Sequence, residues 1–337
     1  MNILNIISEI EKVDPEVYGR FDSRRRIFQH MAGLGGKLAA AAVPLALGSL
    51  FSKAYAGATA TQATVVEVLQ YALILEHLEA NFYNAATASM PITSALSANN
   101  NRALNIIKTD ENNHVNFLRT TITSLSAMPV APAVADFDYT GAQGGSRPAL
   151  FADVLTNAGT MLAVAQALED TGVRAYKGSA PDLMTASTTN NVLEAALNIH
   201  SVEARHASRI RTMRRGGLMP ANDRASFVAA GTNPSSSPKS WISGTDNGGP
   251  DSSKTAAVYN AGTPAADFPA ESNTMQGAAP AGDIPARLAA ANITGLSAAG
   301  ATAAASEAFD EPLDMATVKA IARNFVRTGT PTFMLLA

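Results

Sequence analysis

The sequence predicts an all-α protein, a four-helix bundle with one long crossover, followed by an irregular C-terminal extension that ends in one more helix. Three observations predict it. Residues 61 to 214 hold four long segments whose apolar residues recur every three or four positions. The connection between the second and third segments is broken by Pro and Gly and is long enough to run back along a bundle. Two of the four segments interrupt their apolar rows at mid-length with the same pair, Glu-x-x-His.

Ahead of the helices stands a leader, residues 1–56. "DSRRRIFQ" (22–29) gives three consecutive arginines, an uncharged apolar run follows from Leu38 to Phe51, and "SKAYA" closes on Ala54-Tyr55-Ala56. A positive region, a short apolar region and an A-x-A site are the parts of a secretory signal. The run contains Pro44 and falls short of the roughly 20 residues a membrane span needs. The leader resembles a twin-arginine (Tat) signal, which implies export of the folded protein to the periplasm and no stable membrane span after cleavage. The other reading is an amphipathic anchor that stays uncleaved and holds the protein at the membrane.

The first helix is expected over about 61–85, with the row Val65, Leu69, Ala72, Glu76. The second, about 96–125, buries Leu104, Ile107, Leu118, Ile122 and Leu125, and places Glu111 and His114 in the middle of that row. "MPVAPAVADFDYTGAQGGSRP" (128–148) reads as loop, and at roughly 65–70 Å when extended it suffices for a crossover. The third helix is expected over about 149–178, with Leu162, Ala165 and Glu169 in its row. It joins through "GSAPDLMTAS" to a fourth at about 188–215, whose row is Val192, Ala196, Ile199, Glu203, His206, Ile210, Met213. These helices fill a domain at 57–215. The extension, 216–337, is rich in Gly, Pro, Ser, Thr and Asn, with an amphipathic helix near 313–327 that sets Val318, Ile321 and Phe325 on one face.

The two helix pairs repeat. Glu169 follows Glu76 by 93 positions, Glu203 follows Glu111 by 92, and a tyrosine stands seven residues after each of the first two, Tyr83 and Tyr176. Four carboxylates in one apolar core are costly, because burial penalises the charged form and like charges oppose each other's ionisation. Bound cations resolve this directly. Glu and His one turn apart point the same way, so each Glu-x-x-His helix offers an imidazole to one ion and a carboxylate that bridges, while Glu76 and Glu169 cap the pair. The alternative is a relict bundle that keeps the six groups as a metal-free hydrogen-bond network.

Through "LEHLEANFY", "ENNHVNFLR", "LEDTGVRAYKGSAP" and "HSVEARHASRIR" the chain resembles the ferritin-like superfamily, in its bacterial exported branch similar to plant desiccation-related proteins. The resemblance implies metal ligands at Glu76, Glu111, His114, Glu169, Glu203 and His206, two iron or manganese ions, and reaction with O2 or H2O2 in metal handling or oxidative-stress protection. A manganese-catalase-like enzyme and a metal-free structural or desiccation-stress protein stay open as alternatives.

The remaining polar residues take lesser parts. Glu79 lies one turn past Glu76, but its repeat counterpart is Gly172, so it reads as an accessory or rim residue. His200 reads as a satisfied core histidine, His77 and Glu194 as solvent-facing, and Tyr83 and Tyr176 as neighbours of the ligands. Only 16% of residues are charged, the net charge is −3 and no basic block occurs, so nucleic acid is not an expected partner. Cysteine is absent, which excludes disulfides, iron–sulfur clusters and a rubredoxin-type domain. "GGKLAA" and "GAQGG" lack phosphate-loop spacing. The long tail disfavours a storage cage, while a smaller oligomer stays open.

Overall fold

The computed structural model describes residues 65–184, 192–214, 239–242, 252–277, 282–291 and 295–337. The leader (1–56) and much of the segment from 216 to 251 lie outside the described residues. Four helices form the bundle: α1 (Val65–Ala88), α3 (Ala98–Ser124), α4 (Ala158–Met184) and α5 (Val192–Arg214), with a short α2 (Met90–Ala95) between the first two. The tightest pairings are α1 with α3 and α4 with α5, the two halves of the sequence repeat.

Helix starts follow local capping chemistry. Ser97 accepts the Asn100 N–H at the head of α3. Asn157 does the same for α4, accepting from Gly159 at 2.9 Å and Thr160 at 3.3 Å. That cap corrects the expected start at 149: residues 149–157 are turns, and the helix begins only where Asn157 can satisfy its orphan amides. At its other end α4 runs on through "GSAPDLM" with Pro181 inside the helix, beyond the expected 178.

The crossover is clamped at both ends of α1. Gln70 donates to Met128 O at 2.7 Å and accepts from Val130 N at 2.8 Å, while Ser89 donates to Leu155 O at 2.7 Å. Between these clamps the strap follows α1 for 19 residues, about 28 Å of helix. On the way it contributes Phe137, Tyr139 and Phe151 to the core.

The expected extension adds short helices between its loops. These are α6 (Ser252–Tyr259), α7 (Ile284–Ala290), α8 (Ala298–Ser306), α9 (Met315–Ala322) and α10 (Pro331–Leu335). Helix α9, with a 3-10 turn at Arg323–Phe325, occupies the amphipathic segment near 313–327 and buries Val318, Ile321 and Phe325. Helices α6 and α9 pack on α4. The extension on α4 and the crossover along α1 explain why these two helices are apolar nearly all round, whereas α3 and α5 keep one polar face towards water. None of the described helices is long and apolar enough to cross a membrane.

Candidate metal centre

Six side chains from the four bundle helices converge at mid-height: Glu76 from α1, Glu111 and His114 from α3, Glu169 from α4, and Glu203 and His206 from α5. All four glutamates are fully buried, His114 is 9% exposed and His206 5%. Their donor atoms fall into two overlapping sets, each with all its atoms within 4.8 Å of one another. One set is Glu76, Glu111, His114 and Glu203; the other is Glu111, Glu169, Glu203 and His206. Glu111 and Glu203 are shared, as bridging carboxylates must be, while Glu76 with His114 and Glu169 with His206 flank them. Each imidazole turns Nδ1 inward. That of His114 lies 3.1 Å from Glu76, 3.3 Å from Glu111 and 3.3 Å from Glu203. That of His206 lies 2.7 Å from Glu111 and 3.3 Å from Glu169.

Closeness here does not mean satisfaction. Glu111 Oε1, Glu169 Oε2, both oxygens of Glu203 and His206 Nδ1 are sealed from water without an aligned hydrogen-bond partner. Buried polar atoms are ordinarily paired, and five orphans whose lone pairs meet at common points leave room for a shared electrophile. Imidazole and carboxylate donors with bridging carboxylates suit iron or manganese. The residues therefore fit a carboxylate-bridged pair of such ions.

The electrostatics carry the same strain. Burial pushes the Glu203 carboxyl well up, helped by Glu111 and Glu76. Burial likewise lifts Glu111 to about 7, although contacts with His114 and His206 pull the other way. For the imidazoles burial lowers the pKa, but the surrounding carboxylates win; His206 is pushed up to about 12, and His114 also rises. Without metal, protons are the only counter-charge the cluster has.

The tyrosines cross over. Tyr83 of α1 donates to Glu169 of α4, and Tyr176 of α4 donates to Glu76 of α1. This reciprocal pairing requires α1 and α4 to run antiparallel, and it orients the two flanking carboxylates. Burial raises both phenol pKa values well above the ordinary range, with the accepting glutamates adding to the effect. Both tyrosines stay protonated donors.

Around this core the pseudo-symmetry breaks. His206 Nε2 faces Asp110 at 3.2 Å, fixing the ring as carboxylates commonly fix metal-binding imidazoles; the repeat counterpart of Asp110 is Val202. Sequence reasoning missed Asp110, although its place directly before Glu111 was the available signal. Glu79, expected as an accessory or rim residue, is buried beside the cluster at 3% exposure. It shares the bare face of Gly172 with Glu203: a Cβ there would lie 2.8 Å from Glu203 Oε2 and 3.4 Å from Glu79 Oε1. His200 stays outside the cluster with Nδ1 3.0 Å from Val173 O, as expected of a satisfied core histidine. Glu194 is exposed as expected, but His77 is half-buried rather than solvent-facing, and that burial, with the Arg119 charge, lowers its pKa.

A four-helix bundle with one crossover and six inward Glu and His donors is compatible with a carboxylate metal site. Residues 64–215, the bundle, match the family described as ferritin-like domain. No curated protein and no solved structure matches the chain.

Proposed function

We propose that this chain is an exported protein that binds two iron or manganese ions through Glu76, Glu111, His114, Glu169, Glu203 and His206, and reacts with O2 or H2O2 in metal handling or protection from oxidants. The observation that carries the reading is the set of buried, convergent and unpaired carboxylate and imidazole atoms. When bound, the ions supply two one-electron redox centres side by side. The protein's own residues do the rest. Glu111 and Glu203, common to both donor sets, would hold both ions, Tyr83 and Tyr176 orient the flanking carboxylates by donating hydrogen bonds to them, and Asp110 holds His206. Export rests on the twin-arginine-like leader.

Elemental analysis of the purified full chain tests the metal. About two ions per chain are expected, falling to about one or none in Glu111→Ala and Glu203→Ala, since each removes a donor from both sites. Wild-type metal content in those variants would sink the ligand assignment. Oxygen evolution from peroxide by the manganese-loaded protein would shift the activity to the catalase type.

A further inference from the structure

We propose that the bundle contains a dioxygen-binding cavity one helical turn from the ligand layer, a route to the centre that serves dioxygen and not hydrogen peroxide. This deepens the function proposed above and rests on it for the chemistry, though the cavity itself does not depend on bound metal.

The cavity measures about 20 Å³ and is lined by all four bundle helices, among them Leu69 and Ala72 of α1, Leu118 of α3, Tyr176 of α4 and Ala196 and Ile199 of α5. Its position follows from helical spacing. Ala72, Leu118 and Ile199 each stand four residues from a ligand (Glu76, His114 and Glu203 respectively), so the cavity floor lies one turn, about 5–6 Å, from the donor atoms. Tyr176 joins the two spaces directly, with its ring in the cavity wall and its hydroxyl on Glu76. The lining includes Phe117 of α3, which is 42% exposed.

Its chemistry selects the guest. A cavity of this volume holds one small molecule, and a hydrogen-bonding guest, which needs two to four polar partners, finds at most the hydroxyls of Tyr71 and Ser179 in this wall. Apart from the hydroxyls of Tyr71, Tyr176 and Ser179 the lining side chains are hydrocarbon, and the Tyr176 hydroxyl is already engaged by Glu76. Hydrogen peroxide, with two donors and two acceptors to satisfy, would regain there only part of the hydration it loses. Dioxygen, apolar and diatomic, loses none. Apolar cavities of this sort stay dry and accept xenon, which supplies a probe independent of redox chemistry.

The test uses the full chain, wild type beside Ala196→Leu and Ala72→Leu, each of which fills the cavity from a different helix. Xenon titration followed by 129Xe NMR on metal-free protein is expected to show one saturable site in the wild type and none in either variant. The same proteins, with metal content checked, are then given ferrous iron and limiting oxidant. Two ferrous ions lose one electron each, and dioxygen takes both electrons with two protons to become hydrogen peroxide. The dioxygen-driven rate is expected to fall about tenfold in both variants, equivalent to about 1.4 kcal/mol of barrier; the peroxide-driven rate is expected to stay at the wild-type value. Absence of a xenon site, or equal effects on both oxidants, or none on either, overturns the inference. A wild-type protein that binds no metal overturns the function proposed above instead, and the xenon result separates the two failures.

Discussion

His206 is gripped from both sides, by Glu111 and Glu169 on Nδ1 and by Asp110 on Nε2, and this arrangement makes the two halves of the centre unequal. Asp110→Asn replaces a carboxylate by a weaker partner at a side chain that is 38% exposed, so the fold should tolerate it. Metal affinity at the His206 end is expected to drop by about 10–100-fold, while the His114 end, where Val202 offers no such support, holds its ion. A competition titration with a chromophoric chelator resolves the two steps, and a uniform loss at both would refute the asymmetry. Proton bookkeeping gives a second expectation. His206 keeps its proton up to about 12 in the fold and only to 6.5 unfolded, so its contribution is complete below pH 6.5 and disappears as pH climbs towards 12. Glu111, raised from 4.5 to about 7, acts in the same sense, with its share complete below 4.5 and gone above about 7. The metal-free protein should therefore melt lower at about pH 9 than at about pH 5. Metal displaces those protons, so the rise in Tm on adding manganese should grow over the same range. A metal-induced rise that stays flat with pH contradicts proton displacement. At this scale the six donors were legible in the sequence because Glu-x-x-His broke an apolar row twice. Asp110 was not, since a carboxylate on the edge of an exposed face looks like any solvated charge. The bare face of Gly172 was visible only as a missing repeat partner.

Helix periodicity exposed the four bundle elements but placed their ends poorly, because ends depend on caps and on what packs outside. α4 shows both. Asn157 delays its start, and its far half is fixed by the extension. Arg174 is fully buried, yet it points outward into a nest of backbone carbonyls, those of Glu311, Val258, Asn260, Pro269 and Pro312, with Glu271 3.0 Å away. One turn on, a Cβ at Gly178 would lie 2.0 Å from Leu313 O, so only glycine lets the extension lie flat on the helix. Nothing in periodicity announces a cation that serves chain 80 to 140 positions away. Arg174→Met should leave Glu271 buried without its counter-charge and five carbonyls without a donor. The expected loss is about 3–5 kcal/mol by urea denaturation, with early proteolytic cleavage in residues 252–314. Metal content is expected to survive under native conditions, because Arg174 touches none of the six donors. Unchanged stability would show that the extension is held by its apolar contacts alone.

The whole molecule behaves as one cooperative body or as two, and its packing favours one. The largest apolar cluster runs without a break from Leu78 and Phe82 of α1, through Phe137 and Phe151 of the crossover and Met161 of α4, to Val258, Leu313, Val318 and Phe325 of the extension. A chain of 337 residues is long enough to unfold through intermediates, so cooperativity must come from this shared core rather than from size. The sequence concealed this unity. Its Gly- and Pro-rich composition after residue 216 fits a segment that wraps the bundle as well as one that stays flexible, because the apolar residues that dock it are few and widely spaced. The single tryptophan offers a clean test. Trp241 lies outside the bundle helices and donates to Glu307 at 2.8 Å beyond α8, so its fluorescence reports the extension, while far-UV circular dichroism reports mostly the long bundle helices. If one core holds both, the two thermal transitions coincide. Saturating metal, bound only by the bundle, should then raise both midpoints together, by mass action on a single folded state. A fluorescence transition that precedes the helical one and ignores metal would mean that the extension opens alone, and that the sheath on α4 is a separable layer.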